Sequence, residues 1–132
     1  MQVSNNKTGG DTMLGEIAAK YYKSDENCTS CIFKACEEVY GIGLPQDIYD
    51  MSLGLVGGLG INAMCGAIVT GVMFLSYYFK KDEVKMKQAR ICFLDGVNKR
   101  LCSTCCGKLK KCCKKAIYET GEALEAAIEK YR

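Results

Sequence analysis

The stretch GLGINAMCGAIVTG, residues 58–71, lies inside a run that no charge interrupts from Met51 to Phe79. Its reading decides between a membrane span and a buried core. Those 29 residues are long enough to cross a bilayer, and Lys80 and Lys81 would mark one edge. Six glycines argue otherwise, at 54, 57, 58, 60, 66 and 71, and GGLG followed by Asn62 reads as a break. The two halves, roughly 10 to 17 residues each, have the length of buried core helices. The stretch therefore predicts a buried, glycine-rich hydrophobic helix pair at the centre of the fold, and a membrane span is disfavoured.

Helical patterns continue on both sides of this centre. Asp11 can cap a helix through MLGEIAAKYYK, with Leu14, Ile17, Ala18, Tyr21 and Tyr22 at helical spacing. SDEN breaks it, and Asn27 is placed to cap CTSCIFKACEEVY, which Gly41 ends. The first helix of the central pair runs from about Gln46 to Leu55. The second would be capped by Asn62, with Ala63, Met64 and Cys65 in its first turn, and continue to about Lys80. Asp82 starts a basic helix with Val84, Met86, Ala89, Cys92, Phe93 and Val97 on its apolar side. The last helix, Cys113 to Tyr131, sets Ile117, Leu124 and Ile128 inward and Glu119, Glu122, Glu125 and Glu129 outward. No strand pattern competes. The fold class is all-α, a compact bundle of about five or six helices, with residues 1–10 a frayed N-terminus and 11–132 a single cysteine-rich domain.

Composition supports this and narrows the chemistry. The chain has 132 residues, 48% of them hydrophobic and 25% charged, enough for one domain with its own core. The N-terminal MQVSNNKTGGD is polar and carries no apolar export signal, so a cytoplasmic location is expected. Charge is lopsided. Residues 80–115 hold 12 Lys or Arg against three acids, and the rest of the chain holds six against 12. Aromatic residues do not interleave with these lysines, so nucleic acid is not an expected partner.

Ten cysteines stand at 28, 31, 36, 65, 92, 102, 105, 106, 112 and 113, six of them in the basic segment. In a reducing compartment such residues are metal ligands, redox centres or small core residues. The chain has no histidine. That removes Cys–His and Ser–His catalysis, mixed Cys/His zinc sites and c-type haem attachment through CxxCH. Cys28 and Cys31 form a CxxC at a helix start, while Cys36 is offset from both and reads as packing. In CSTCCGKLKKCCKK, helical spacing would align Cys102, Cys106 and Cys113, although Gly107 opposes a continuous helix. At a helix start Cys65 would feel the unpaired N–H groups, which lower a thiol pKa, against burial, which raises it.

Taken together, NC at 27–28, GGLG and CGA within 57–67, and late cysteines before an acidic helix resemble a family named for its cysteine pattern, C_GCAxxG_C_C, to which redox activity is ascribed. The resemblance spans roughly residues 25 to 130 and implies a cysteine-based redox role for Cys28, Cys65, Cys102 and Cys113. Cys113 is preferred to Cys112 because the terminal helix follows it. CGAIVTG differs from CGAxxG by one residue, which turns Gly71 about 100° around a helix.

Two chemistries follow. In the first, Cys65 exchanges disulfides with Cys28 or a late cysteine, the lysines favouring the late thiolate, and an unidentified redox partner protein supplies or receives electrons. In the second, Cys28, Cys65, Cys102 and Cys113 converge on zinc or an iron–sulfur cluster. A third reading is a non-catalytic helical interaction module. Homo-oligomerisation is left open by the sequence.

Overall fold

The structure, a computed structural model, describes residues 13–23, 26–101, 103–109 and 112–132. The proposed Asp11 cap, the frayed N-terminus and Cys102 lie outside the described residues. Among those described there are seven helices and no strand: α1 (Leu14–Lys23), α2 (Cys28–Tyr40), α3 (Gln46–Ser52), α4 (Gly66–Tyr78), α5 (Glu83–Leu101), the single turn α6 (Cys106–Leu109) and α7 (Cys113–Tyr131). No helix among the described residues is long and apolar enough to cross a membrane.

Local signals explain most boundaries. Asn27 Oδ1 accepts the Thr29 and Ser30 N–H groups at 3.0 and 2.8 Å, and Gly41 closes α2 in the left-handed region at φ 63°. Asp82 Oδ1 accepts the Lys85 N–H at 3.0 Å and starts α5. The acids Glu119 and Glu129 of α7 pair with Arg100 and Arg132.

Helix α7 packs against α1 and α5, α1 against α2, and α2 against α4. Phe33, Phe74, Phe93, Ile68, Ile117 and Leu124 fill the space between them. The α1–α7 crossing depends on paired glycines. A methyl group on Gly121 would stand 2.7 Å from the Gly15 Cα, and one on Gly15 would stand 2.5 Å from the Tyr118 carbonyl oxygen.

This close crossing reverses one expectation. Glu122 and Glu125 are buried, the latter only 1% exposed. Glu125 Oε1 accepts the Met13 and Leu14 N–H groups at 2.8 and 3.1 Å, so a carboxylate from α7 caps the start of α1. Periodicity treats every charge as solvent-facing and misses a carboxylate that answers a neighbouring helix start.

The central segment also differs from the expected buried pair. Helix α4 is buried along most of its length, but α3 buries only Ser52, and Met51 and Leu53 are exposed. A 3₁₀ turn, Leu53–Leu55, follows α3. The chain then makes a left-handed turn, with φ of 74°, 59°, 65° and 74° at Gly57, Gly58, Leu59 and Gly60 and 58° at Asn62. This turn is the break that GGLG predicts. It delays the helix, so α4 begins at Gly66 and Cys65 occupies its N-cap in place of Asn62.

Gly71 keeps a close contact despite its displaced position. The α4 helix is regular there, and a methyl on Gly71 would stand 2.4 Å from the Phe93 ring of α5. Val84, expected on the apolar side of α5, is exposed, whereas Ala89, Phe93 and Val97 are buried.

Candidate functional site

Four cysteines stand at four helix starts. Cys28 is the first residue of α2, Cys65 the N-cap of α4, Cys106 the first residue of α6 and Cys113 the first of α7. All four line one cavity of about 290 Å³. Its other walls include Tyr22 and Asn27 on one side and Val56, Leu109 and Ile117 on the apolar side.

A short backbone pairing brings two of these starts together. Met64 and Cys105 form an isolated antiparallel bridge. Around it the Cys65 N–H donates to the Thr104 carbonyl at 2.8 Å, and the Cys106 N–H donates to the Ala63 carbonyl at 2.6 Å. Side chains alternate across such a bridge, so Cys65 and Cys106 share one face while Met64 and Cys105 share the other. Cys105 accordingly points away from the cavity and its thiol donates to the Asn62 carbonyl at 3.3 Å.

Glycines let sulfur approach backbone. A methyl on Gly66 would stand 2.8 Å from the Cys28 Sγ and 2.9 Å from the Leu55 carbonyl oxygen. A methyl on Gly58 would stand 2.6 Å from the Cys106 Cβ. The left-handed turn is thus packed against α6. Leu59 adopts the same left-handed backbone without being glycine, which costs about 1–2 kcal/mol.

Burial decides the protonation of the two inner thiols. It pushes Cys28 up to about 11, the neighbouring Cys65 sulfur adds to the rise, and an N–H from Gly57 partly offsets it. Burial likewise raises Cys65. The Ile68 and Ala67 N–H groups of the first α4 turn pull in the opposite direction, yet the Cys65 sulfur makes no full capping hydrogen bond and burial prevails. At the far wall the Tyr22 hydroxyl is hydrogen-bonded to Cys113, and the proximity of that sulfur, followed by burial, raises the Tyr22 pKa.

Of the residues singled out in the sequence, Cys28, Cys65 and Cys113 meet at this cavity, and Cys106 joins them. Spacing aligned Cys106 with Cys113, but the bridge that selects it is a contact between distant segments. Tyr22 read as an apolar helix residue, and nothing local in the sequence announces its contact with Cys113. The CxxC does not act as one face. Cys31 is buried, its thiol donates to the Glu26 carbonyl at 3.7 Å, and it does not line the cavity. Cys36 is buried in the core, as its offset predicts.

No disulfide joins the described cysteines. Among the described residues, which do not include Cys102 of the expected Cys₄ set, no three Cys, Asp or Glu side chains are gathered closely enough to hold a metal ion. Their arrangement is that of neighbouring thiols around a small apolar space.

Residues 26–129, a span that includes all four cavity cysteines, match the family model described as "Putative redox-active protein (C_GCAxxG_C_C)". The chain belongs to the C_GCAxxG_C_C family. No curated protein and no solved structure matches the chain significantly. Membership in the C_GCAxxG_C_C family thus attaches a redox description to the domain that holds the cavity.

Proposed function

We propose that the protein is a thiol–disulfide redox protein whose working pair is Cys28 and Cys65. The observation that carries this reading is the convergence of four cysteines, from four separate helix starts, on one cavity. Within it, Cys28 lies against Gly66, the residue next to Cys65, and no side chain stands between that glycine and the sulfur.

The chemistry is a two-step exchange. Cys28 loses its proton and its thiolate attacks one sulfur of a substrate disulfide. A mixed disulfide forms, and the other substrate sulfur leaves as a thiolate and takes up a proton. Cys65 then loses its proton and attacks Cys28 at the mixed disulfide. The Cys28–Cys65 disulfide forms and the second substrate thiol is released. Two protein thiols are oxidised and one substrate disulfide is reduced. Thiols of raised pKa favour the disulfide side of such a couple, so the pair acts as a reductant. Cys106 and Cys113, and Cys102 by resemblance, are then the cysteines to which the disulfide is passed by internal exchange.

The reading is tested by following reduction of hydroxyethyl disulfide by the fully reduced protein, with Cys65→Ser as control. The intact protein is expected to complete the exchange, and Cys65→Ser to stop at a mixed disulfide on Cys28. A reduced protein that transfers no electrons to the disulfide would overturn the reading.

A further inference from the structure

The cavity that holds the four cysteines is small and apolar. Its volume of about 290 Å³ lies at the bottom of the range that holds ligands, roughly 300–1,000 Å³. Val56, Leu109, Ala116 and Ile117 form its apolar wall, and among the described lining residues none is charged. Two of its polar side chains are already engaged. Asn27 Oδ1 accepts the Thr29 and Ser30 N–H groups and the Thr29 hydroxyl, and the Tyr22 hydroxyl is hydrogen-bonded to Cys113. The Ala67 and Ile68 N–H groups at the α4 start face Cys65, and the Gly57 N–H faces Cys28. An ammonium or carboxylate brought into this space would find no charged partner among the described lining residues, and its desolvation would go uncompensated. The same burial that raises the Cys28 and Cys65 thiols disfavours any charge beside them.

Where the attack takes place decides how much of a substrate must enter. Cys65 is only 7% exposed and Cys28 is half-buried. A thiolate attacks a disulfide sulfur directly, and the leaving sulfur departs on the side opposite the attacking one. With Cys28 and Cys65 in the cavity wall, both substrate sulfurs and the first atoms of both substituents therefore lie inside the cavity. Val56 is exposed and also lines the cavity, so the entrance lies beside an aliphatic side chain. The two main chains that flank a protein disulfide exceed this space, and so does the charged tripeptide disulfide of glutathione.

We propose that the substrate of this site is a small uncharged disulfide, with a short uncharged substituent on each sulfur, that enters the cavity whole beside Val56. The proposal rests on the thiol–disulfide reading above and names its substrate class. The Cys28 thiolate bonds to one substrate sulfur as the bond between the two substrate sulfurs breaks. The other sulfur leaves as a thiolate and takes up a proton. Cys65 then loses its proton and displaces the first sulfur, which leaves as the second small thiol. The substrate gains two electrons and two protons, and the Cys28–Cys65 disulfide is the oxidised product.

The test follows oxidation of the full reduced protein at neutral pH by disulfides of similar size. Diethyl disulfide and hydroxyethyl disulfide are neutral, dithiodiglycolate is anionic and cystamine is cationic. Each rate is divided by that disulfide's rate with free mercaptoethanol, which removes intrinsic reactivity. Both neutral compounds are expected to react at least about tenfold faster than either charged one. Attack at an exposed thiol would instead follow the sign of the nearby charge and favour one ion over the other. Val56→Asp, at an exposed position, is expected to slow diethyl disulfide and to narrow its advantage over cystamine. A charged disulfide as fast as the neutral pair would overturn the substrate class while leaving the redox reading in place. So would a ranking that Val56→Asp leaves unchanged in protein of unaltered helical circular dichroism. Should that variant not fold, the ranking in the unsubstituted protein decides. Failure of all four disulfides to oxidise the protein would overturn the redox reading, and the substrate class with it.

Discussion

The Cys28 sulfur rests on the backbone of Gly66, so that a single added methyl group would stand 2.8 Å from it. Glycine at 66 is therefore a condition for Cys28 to approach the helix start capped by Cys65. The first prediction follows from this contact. Gly66→Ala forces the Cys28 side chain, the Leu55 backbone or α4 to move, at a strain of about 1–3 kcal/mol. Chemical denaturation should register that loss. Redox titration should also show the variant's Cys28–Cys65 disulfide to be more easily reduced than that of the unsubstituted protein.

The α1–α7 crossing makes a second prediction, independent of the thiols. Gly121→Ala places its methyl 2.7 Å from the Gly15 Cα, where both partners are backbone and neither can rotate away. Loss of about 1–3 kcal/mol in unfolding free energy is expected. Glu125→Ala should be destabilising as well, because the Met13 and Leu14 N–H groups lose their buried acceptor. Thiol exchange by the folded protein should persist in both.

Leu59 predicts a gain. Leu59→Gly or Leu59→Asn relieves a left-handed leucine whose side chain is largely exposed, and should raise stability by up to about 1 kcal/mol. A thermal melt that shows either variant less stable would mean that the Leu59 side chain contributes packing that its exposure does not suggest.

The buried thiols predict a dependence on alkaline pH. Burial raises Cys28 from the ordinary 9.0 to about 11 and Cys31 from 9.0 to about 12. The folded state thus holds protons that the unfolded chain releases first. The stability tied to these groups is fully present below about pH 9 and is lost as pH rises toward 11 and 12. Cys36, raised well above 9.0 by complete burial, acts in the same direction. Urea unfolding at successive pH values should show falling stability above about pH 9, and Cys28→Ser should have a shallower slope. Alkylation of Cys28 in the native protein should accelerate with pH up to about 11, because the thiolate is the reacting form.

What the sequence made legible is what local rules control. The Asn27 cap, the Gly41 stop, the GGLG break and the limits of α7 each depend on residues within a turn of one another. Contacts between distant segments were not legible. The burial of Glu125 depends on where α1 begins. The pairing of residues 63–65 with 104–106 selects Cys106 for the cavity, and no spacing encodes it. The exposure of Leu59 and Ile61 was hidden for a related reason: hydropathy marks them as core, but the left-handed turn carries the chain along the surface before Cys65. Cys28, Cys65 and Cys113 were legible through motif resemblance, and Tyr22 and Cys106 became so only with the fold.

The most direct test of the central claim is a disulfide map. The purified protein would be equilibrated in a graded dithiothreitol buffer, quenched with acid and alkylated, and its cystine peptides identified by mass spectrometry. The account predicts that Cys28–Cys65 is the first native disulfide to form and that its formation leaves the helical circular dichroism unchanged. A map in which both residues remain free thiols while other cysteines oxidise, or in which they pair only after the fold is lost, would contradict it.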